Sequence, residues 1–381
     1  MTKIQQVFHN SWQDYCRHFS PSDGQTRAAF SIMNCKTGTF GYNISQCGEC
    51  GHTDLHANSC RNRSCPNCQA VLKEIWIDKR RSEMIDASYF HVIFTIPAQL
   101  NPLVYANQRL LYGLLHRCCA ETLLELSGNE KYLGAAPGII QVLHTWGQEM
   151  NYHPHIHCIV SGGGLTRTKD LKLCKDKFLL PAGPLAKKFR GKFLHHLGGH
   201  WQKNELHFSD SCKNLQNSYI WATLKNKLYQ TDWNIEIRET FNGNGNAIEY
   251  LGRYASRIAI TNARILSVSS DTVSFRAKDY RTGGIRTVTI SCTEFIRRFM
   301  MHVLPSGFQK IRYYGFLNNR WKNRNLRIIF RIQGHRRFQS MLSGLSMDEV
   351  LLKVWNYNVH KCPECGCNSM HHCGRTYAMR N

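Results

Sequence analysis

Eight consecutive residues, His153-Pro154-His155-Ile156-His157-Cys158-Ile159-Val160, leave this chain little choice of local structure. The run is apolar and β-branched, so it reads as a buried strand whose alternate side chains share one face. His155 and His157 then project to the same side and can reach one divalent ion together. Upstream, Ile139 to Trp146 reads as a second strand, and a short connection containing Gly147 makes the two an antiparallel hairpin. That hairpin brings Gln148 or His144 beside the pair as a third ligand, with coordination positions left open for a substrate oxygen. Gln148 is the first choice and His144 the second; His153, followed by proline, is set aside. An isolated His-x-His is more often a half-solvated strand face, so the rest of the chain must supply a reason for it.

Charge supplies the first reason. The chain has 381 residues and a formal net charge of +23, spread along its length, which points to a polyanionic partner, most simply nucleic acid. A basic membrane-binding protein is disfavoured: there is no apolar run near the length of a membrane span, no signal peptide and no strongly basic amphipathic anchor. The 17 cysteines are odd in number and grouped in Cys-x-x-Cys pairs, which suits reduced thiols and zinc in a cytosol better than a secreted disulfide framework.

Cys47-Gly48-Glu49-Cys50 and Cys65-Pro66-Asn67-Cys68 are two such knuckles. Together they fit one tetrahedral structural Zn2+, with Cys60, His52 and His56 in the intervening loop as replacements for a thiolate. Arg61, Arg63 and Lys73 surround this site, so the ribbon is either a nucleic-acid contact or a structural staple. A second cysteine group, Cys362, Cys365, Cys367 and Cys373, with His371 and His372, has the composition of a further small zinc site, although its spacing departs from a two-knuckle ribbon.

Between these features the chain is ordinary. Aromatics at Phe8, Trp12, Tyr15, Phe19 and Phe30 fall at helical spacing in the first 45 residues. Tyr89 to Pro97 reads as a buried strand, and Leu103 to Leu126 as a long amphipathic helix carrying Cys118 and Cys119 as core residues. Ser161-Gly162-Gly163-Gly164 reads as the turn that ends the histidine strand; no lysine follows at P-loop spacing, so ATP use is not indicated. Pro181 to His200 interleaves Lys187, Lys188, Arg190 and Lys192 with Phe189 and Phe193, a composition suited to single-stranded nucleic acid and equally to an amphipathic helix with a basic face.

Asn246 is a good N-cap for a helix from Ala247, with Ile248, Leu251, Ala255 and Ile258 as its apolar stripe. Tyr250 and Tyr254, four apart, share one face at the stripe's border. Such a pair is usually packing. Beside an open metal site, on a basic chain with no nucleotide motif, it suggests phosphodiester transesterification instead. A tyrosine oxygen attacks phosphorus, a metal polarises the non-bridging oxygen, and the phosphotyrosine conserves the bond for rejoining. Arg253 and Arg257 would neutralise phosphate charge.

His155-Ile156-His157 resembles the His-hydrophobic-His signature of the HUH endonucleases, and Tyr250-Leu251-Gly252-Arg253-Tyr254 resembles the two-tyrosine motif of the insertion sequence 91 family of rolling-circle transposases. The zinc knuckles, Phe94-Thr95-Ile96-Pro97, His144 to Gln148, Lys278-Asp279-Tyr280-Arg281, Glu294 to Phe299, His302-Val303-Leu304-Pro305 and Gly307-Phe308 are similar to that family in the same order, from about residue 20 to 320. The resemblance implies an α+β fold, an antiparallel sheet flanked by helices with the histidines on a central strand. It implies a transposase that nicks and joins single-stranded DNA at hairpin-bearing transposon ends. His155 and His157 would bind Mg2+ or Mn2+, and Tyr250 and Tyr254 would form 5'-phosphotyrosine links, in a bacterial, nucleoid-associated protein.

The remaining sequence reads as short strands over 264 to 292 with a Gly283-Gly284 turn, an arginine-rich helix around Phe295 to Phe299, and an aromatic, basic stretch (Tyr313, Tyr314, Phe316, Trp321) that either tracks DNA or packs on the sheet. The expected organisation is a helical and zinc-ribbon domain over 1–85, a catalytic domain over 86–265, a basic region over 266–345 and a Cys/His-rich tail over 346–381. Three other functions compete: a replication initiator or relaxase with the same chemistry, a non-catalytic zinc-dependent DNA-binding protein, and a metal-free histidine-triad nucleotide hydrolase using His153, His155 and His157.

Overall fold

A computed structural model describes residues 1–174, 180–239, 252, 259–279, 282–334 and 339–377. Its centre is an antiparallel sheet built from β3 (Tyr89–Thr95), β4 (Ala136–Trp146), β5 (Tyr152–Leu165), β6 (Leu171–Leu173), β7 (Ile235–Glu239) and β11 (Ile311–Tyr314). Their order across the sheet is β11-β4-β5-β3-β7, with the short β6 paired to the end of β5. β5 is central and buried along nearly its whole length, as expected of a strand covered on both faces. The observed mixed α+β architecture, with antiparallel sheets flanked by helices, is the one expected.

Alternation sorts the side chains to two faces. Ile156, Cys158 and Val160 of β5 share a core with Phe90, Val92 and Phe94 of β3 and with the helices α4 (Asn101–Ala106), α5 (Gln108–Ser127) and α6 (Ala182–Gln202). Leu103 to Leu126 is therefore two helices and not one. Asn107 breaks it: its amide donates to the Leu103 carbonyl at 2.9 Å and to the His207 carbonyl at 2.7 Å, a local bonding pattern that competes with helix. The other face carries Tyr89, Ile140, Val142 and Ile159 against Ile77 of α3 (Ala70–Arg81) and against Phe316, Leu326 and Ile329 near the C-terminal end. The histidines of β5 lie on this second face, because His157 is in register with Val142 and Ile93, and His155 with His144 and Thr95.

A second core joins parts distant in sequence. Helices α1 (Lys3–His18) and α2 (Asp23–Met33) pack against a three-stranded sheet, β8 (Ile265–Val268), β9 (Thr272–Lys278) and β10 (Ile285–Ser291), and the helix Cys292–Met300. The aromatic spacing of α1 builds a ladder, with Trp12 stacked on Phe8 and Tyr15, and Phe8 meets the Phe299 ring edge-on at 5.5 Å. The first 35 residues and residues 259–300 therefore share one apolar cluster. Met150, at the tip of the β4–β5 hairpin, is buried in the same cluster. In a third sheet, β1 (Tyr42–Cys47) pairs on one side with β2 (Thr53–Ala57) and on the other with β12 (Met370–Arg375). The Cys/His-rich tail thus adds a strand to the sheet that carries the first Cys-x-x-Cys knuckle. No helix among the described residues is long and apolar enough to cross a membrane.

The glycine run after Ser161 is not a turn. β5 continues through it to Leu165, with Gly163 and Gly164 paired to Leu173 and Lys172. Glycine is needed because other chain segments press in: a Cβ on Gly164 would lie 2.7 Å from the Ala136 carbonyl, and one on Gly162 would lie 3.1 Å from the Ser88 oxygen. Gly164→Val should therefore cost about 3 kcal/mol or more, through strain against a rigid backbone. A lowered urea midpoint checks this; an unchanged midpoint would contradict it.

Across the sheet from the histidines, His116 of α5 is fully buried, with Nδ1 2.8 Å from the Gln141 side-chain amide. Burial pushes its pKa down to about 3. The unfolded chain takes up this proton below the ordinary histidine value near 6.5 and the folded chain does not, so stability falls as pH drops from about 6.5 towards 3, by about 1.4 kcal/mol per unit. Between pH 6.5 and 5.0, His116 should account for about 2 kcal/mol of lost stability. Denaturation of His116→Gln at both pH values should show a loss smaller by that amount; equal losses would contradict the assignment.

Candidate functional site

The β4–β5 hairpin brings His144 opposite His155. One ring nitrogen from each of His144, His155 and His157 lies within 4.8 Å of the others, and the three side chains are almost wholly buried. Hydrogen bonds orient the rings. His155 Nδ1 donates to the His153 carbonyl at 2.7 Å, which leaves Nε2 as the free lone pair. His157 Nδ1 lies 2.8 Å from His91 Nε2, with the two rings parallel. The remaining nitrogens, His155 Nε2 and His157 Nε2, are 3.0 Å apart. Two bonds of about 2.1 Å meeting at a right angle span about 3 Å, the cis edge of an octahedral ion. The His144 ring stacks on Trp146 with centroids 4.5 Å apart and stands 4.4 Å from the His157 ring.

Burial holds His155 down to about 3, His157 well below the ordinary histidine range and His91 down to about 4. All three are therefore neutral at pH 7, the protonation state a metal ligand needs. Lys310 approaches the same region: its ammonium lies 5.0 Å from the Trp146 ring centroid, and burial lowers its pKa to about 7.

Of the two candidates for a third ligand, His144 lies with the pair, one ring nitrogen of each within 4.8 Å of the others. Gln148 sits beyond the end of β4, where its backbone carbonyl accepts a hydrogen bond from Arg264. His153 contributes its carbonyl. Two further residues of the site carry no local signal: His91 lies on a strand with the pattern of pure core, and Lys310 just before a strand notable for its aromatics. Only the pairing of β3 with β5 reveals the first of them, since His91 faces Ile159 in that register and so lies beside His157. His302, in a motif of the resemblance, is a structural pin. Its Nε2 donates to the Met150 carbonyl at 2.9 Å and its Nδ1 accepts from the Thr145 hydroxyl at 3.0 Å, fixing the hairpin tip.

Tyr250, Tyr254, Arg253 and Arg257 lie outside the described residues. Gly252 between them is helical and buried, so close to Ile77 that a Cβ would collide with that side chain. Ile77 belongs to the apolar cluster on the histidine face.

The residues of α6 sit elsewhere. Lys188 is paired with Glu125, and Arg190 donates to the Thr231 carbonyl at 3.0 Å, while Phe189 and Phe193 fill the core on the face opposite the histidines. Lys187 is exposed on the same helix. Arg63 is likewise a tie within the protein, donating to the carbonyls of Phe308, Leu304 and Pro305 at 2.6, 3.1 and 2.6 Å. Tyr313 is held by packing, beneath the Arg80 guanidinium at 4.9 Å and within 3.1 Å of Trp76 Nε1.

The thiols form two clusters that divide the knuckles between them. Cys65 and Cys68 join Cys35 and Cys60, whereas Cys47 and Cys50 join Cys362 and Cys365. The expected set Cys47, Cys50, Cys65 and Cys68 is thus split, because β1 pairs with β12 and carries the first knuckle to the C-terminal one. Cys60, expected only as a replacement, is a full member, as is Cys35, which carries no local signal because it has no cysteine neighbour in sequence. In the first cluster Cys60 Sγ lies 3.7 Å from Cys68 Sγ, and hydrogen bonding from Cys60 and Cys65 draws the Cys68 thiol down. Cys373 lies apart, its thiol directed to the His371 carbonyl at 3.4 Å.

Thiolate clusters, converging neutral imidazoles and a strongly basic chain define a metal-binding protein suited to a polyanion, and comparison with known proteins makes the class a transposase. Residues 138–325 match the family model described as "Putative transposase", and residues 7–96 match the "Transposase zinc-binding domain". The chain is 39% identical over 327 residues, covering 85% of it and 82% of the relative, to "Putative transposase y4qJ" of Sinorhizobium fredii. It is 28% identical over 304 residues, 78% of this chain and 71% of the relative, to the transposase for insertion sequence element IS801 of Pseudomonas savastanoi pv. phaseolicola. No solved structure matches. The chain belongs to the insertion sequence 91 family of transposases, with a structural-zinc module and DNA as its partner.

Proposed function

We propose that this transposase nicks and rejoins single-stranded DNA at transposon ends in a rolling-circle reaction, through 5'-phosphotyrosine intermediates on Tyr250 and Tyr254. The observation that carries the reading is the convergence of His144, His155 and His157 on one point, each buried on paired strands. His155 and His157 would hold the divalent ion through Nε2, with His144 as third ligand in preference to Gln148. Three imidazoles suit Mn2+ better than Mg2+, which prefers oxygen. When bound, the ion would polarise a non-bridging phosphate oxygen and draw off charge as phosphorus is attacked.

The chain's own residues would do the rest. One tyrosine oxygen, losing its proton, bonds to phosphorus while the P–O bond to the 3' oxygen breaks. The products are a 5'-phosphotyrosine and a 3'-hydroxyl. A 3'-hydroxyl of the recipient strand then attacks the same phosphorus and expels the tyrosine, so the phosphodiester count is conserved and no ATP is consumed. His91 keeps the His157 ring in the tautomer that points Nε2 at the ion. Lys310, Arg253 and Arg257 would offset phosphate charge. The burial of Gly252 against Ile77 supports placing the tyrosine segment on the histidine face.

Incubation with single-stranded oligonucleotides carrying the element's terminal hairpins tests the reading. Cleavage should require a divalent ion, proceed at lower Mn2+ than Mg2+, and stop with chelator. Cleavage unaffected by chelator would instead favour the histidine-triad chemistry, and binding without cleavage a non-catalytic zinc protein.

A further inference from the structure

Two turns at opposite ends of the chain are built alike. In Cys47-Gly48-Glu49-Cys50-Gly51-His52, the Gly51 N–H donates to the Cys47 carbonyl at 3.0 Å and the Cys47 N–H donates to the His52 carbonyl at 2.8 Å. In Cys362-Pro363-Glu364-Cys365-Gly366-Cys367, the Gly366 N–H donates to the Cys362 carbonyl at 3.0 Å and the Cys362 N–H donates to the Cys367 carbonyl at 2.8 Å. Gly51 and Gly366 have φ of 73° and 74°, a left-handed conformation that glycine adopts without strain. Cys65-Pro66-Asn67-Cys68 is followed by glutamine and leads into α3, so it is a different turn.

The two matching turns face one another. Strand β12 lies against β1 with Cys47 opposite Met370, and the Gly48 N–H donates to the Ser369 carbonyl at 3.0 Å. Across the gap, Cys47 Sγ is 3.7 Å from Cys365 Sγ and Cys50 Sγ is 3.6 Å from Cys362 Sγ. Four Zn–S bonds of about 2.3 Å in a tetrahedron set sulfur–sulfur edges of about 3.8 Å. A disulfide would need about 2.05 Å.

We propose that Cys47, Cys50, Cys362 and Cys365 bind a second structural Zn2+, separate from the one suited to Cys35, Cys60, Cys65 and Cys68, and that this ion locks the C-terminal segment onto the N-terminal zinc module. On binding, each thiol gives up its proton to solvent and the sulfur supplies the electron pair. The central sheet, from Tyr89 to Tyr314, is then bracketed by a clasp joining residues some three hundred apart in sequence. Cys367, with Sγ 3.3 Å from Cys47 and 3.0 Å from Cys365, sits beside the centre as a fifth thiol.

Zinc content of the full-length purified protein tests this. Wild type should hold two ions per chain, and Cys47→Ser, Cys362→Ser and the double variant should each hold one, because both residues serve the same ion; Cys367→Ser should keep two. A double variant that loses both ions, or a Cys362→Ser protein that keeps both, would overturn the proposal. Should the serine variants fail to fold, Cys362→His keeps a ligand: its Co2+-loaded form should retain two ions and show weaker sulfur-to-cobalt charge-transfer absorption than wild type, and an unchanged spectrum would overturn the assignment. Trypsin should release a C-terminal fragment from Cys362→Ser and not from wild type; equal resistance would mean the ion clasps nothing.

Discussion

Replacing His155 or His157 by alanine should abolish metal-dependent cleavage of single-stranded DNA while leaving the fold in place. Either change removes one of two Nε2 atoms set 3.0 Å apart, and with it the ion that would stabilise charge at phosphorus. A metal contributes several kcal/mol of such stabilisation, so a loss of about 4 kcal/mol, roughly a thousand-fold in rate, is expected. His91→Leu should act more weakly, since it removes only the hydrogen bond at 2.8 Å that orients His157; a fall of about 10- to 100-fold in metal affinity is the usual cost of losing such support. Calorimetric titration with Mn2+ separates the cases: no measurable binding in His157→Ala, weakened binding in His91→Leu, and unchanged melting without metal in both. Full Mn2+ affinity in His157→Ala would place the ion elsewhere.

Removing the first zinc centre should have a larger effect on stability. Cys65 is fully buried, in the cluster where α1, α2, the helix Cys292–Met300 and the hairpin residue Met150 meet. Structural Zn2+ contributes on the order of 10 kcal/mol to small modules that fold around it. Cys65→Ser also leaves a buried hydroxyl beside three thiols. It should therefore loosen the N-terminal helices and, through Met150, the tip of the histidine hairpin. Hydrogen exchange should show lost protection over residues 3–33 and 144–155, with β9 also affected because Phe275 packs in the same cluster. Loss confined to residues 60–68 would mean that the module is an independent appendage.

The histidine hairpin is legible in the sequence because alternation and a short glycine-bearing connection are local signals; they put His155 and His157 on one face and His144 on the neighbouring strand, but do not choose between His144 and Gln148. Longer-range features are not legible in this way. The partner of the Cys47 knuckle lies three hundred residues away, and nearness in sequence favours Cys65 and Cys68; the repeated Cys-x-Glu-Cys-Gly at 47 and 362 is the signal that corrects it. Gly162 to Gly164 looks like a turn because glycine usually marks one, whereas here it accommodates close backbone approach within a strand. Phe189 and Phe193 illustrate a further limit: a basic, aromatic helix has the same composition whether its rings stack on bases or, as here, fill the core. The boundary expected at residue 265 falls within residues 259–300, which share an apolar cluster with the first 35 residues.

The covalent link is the central claim and can be measured directly. The protein is mixed with a single-stranded oligonucleotide labelled on the 3' side of the scissile phosphate, Mn2+ is added, the reaction is stopped in SDS, and the labelled adduct is digested and sequenced by mass spectrometry. The expected product is an SDS-resistant adduct whose nucleotide mass resides on Tyr250 or Tyr254, and which is lost in Tyr250→Phe/Tyr254→Phe. An adduct on a histidine, or one that persists in the double phenylalanine variant, would contradict the phosphotyrosine mechanism.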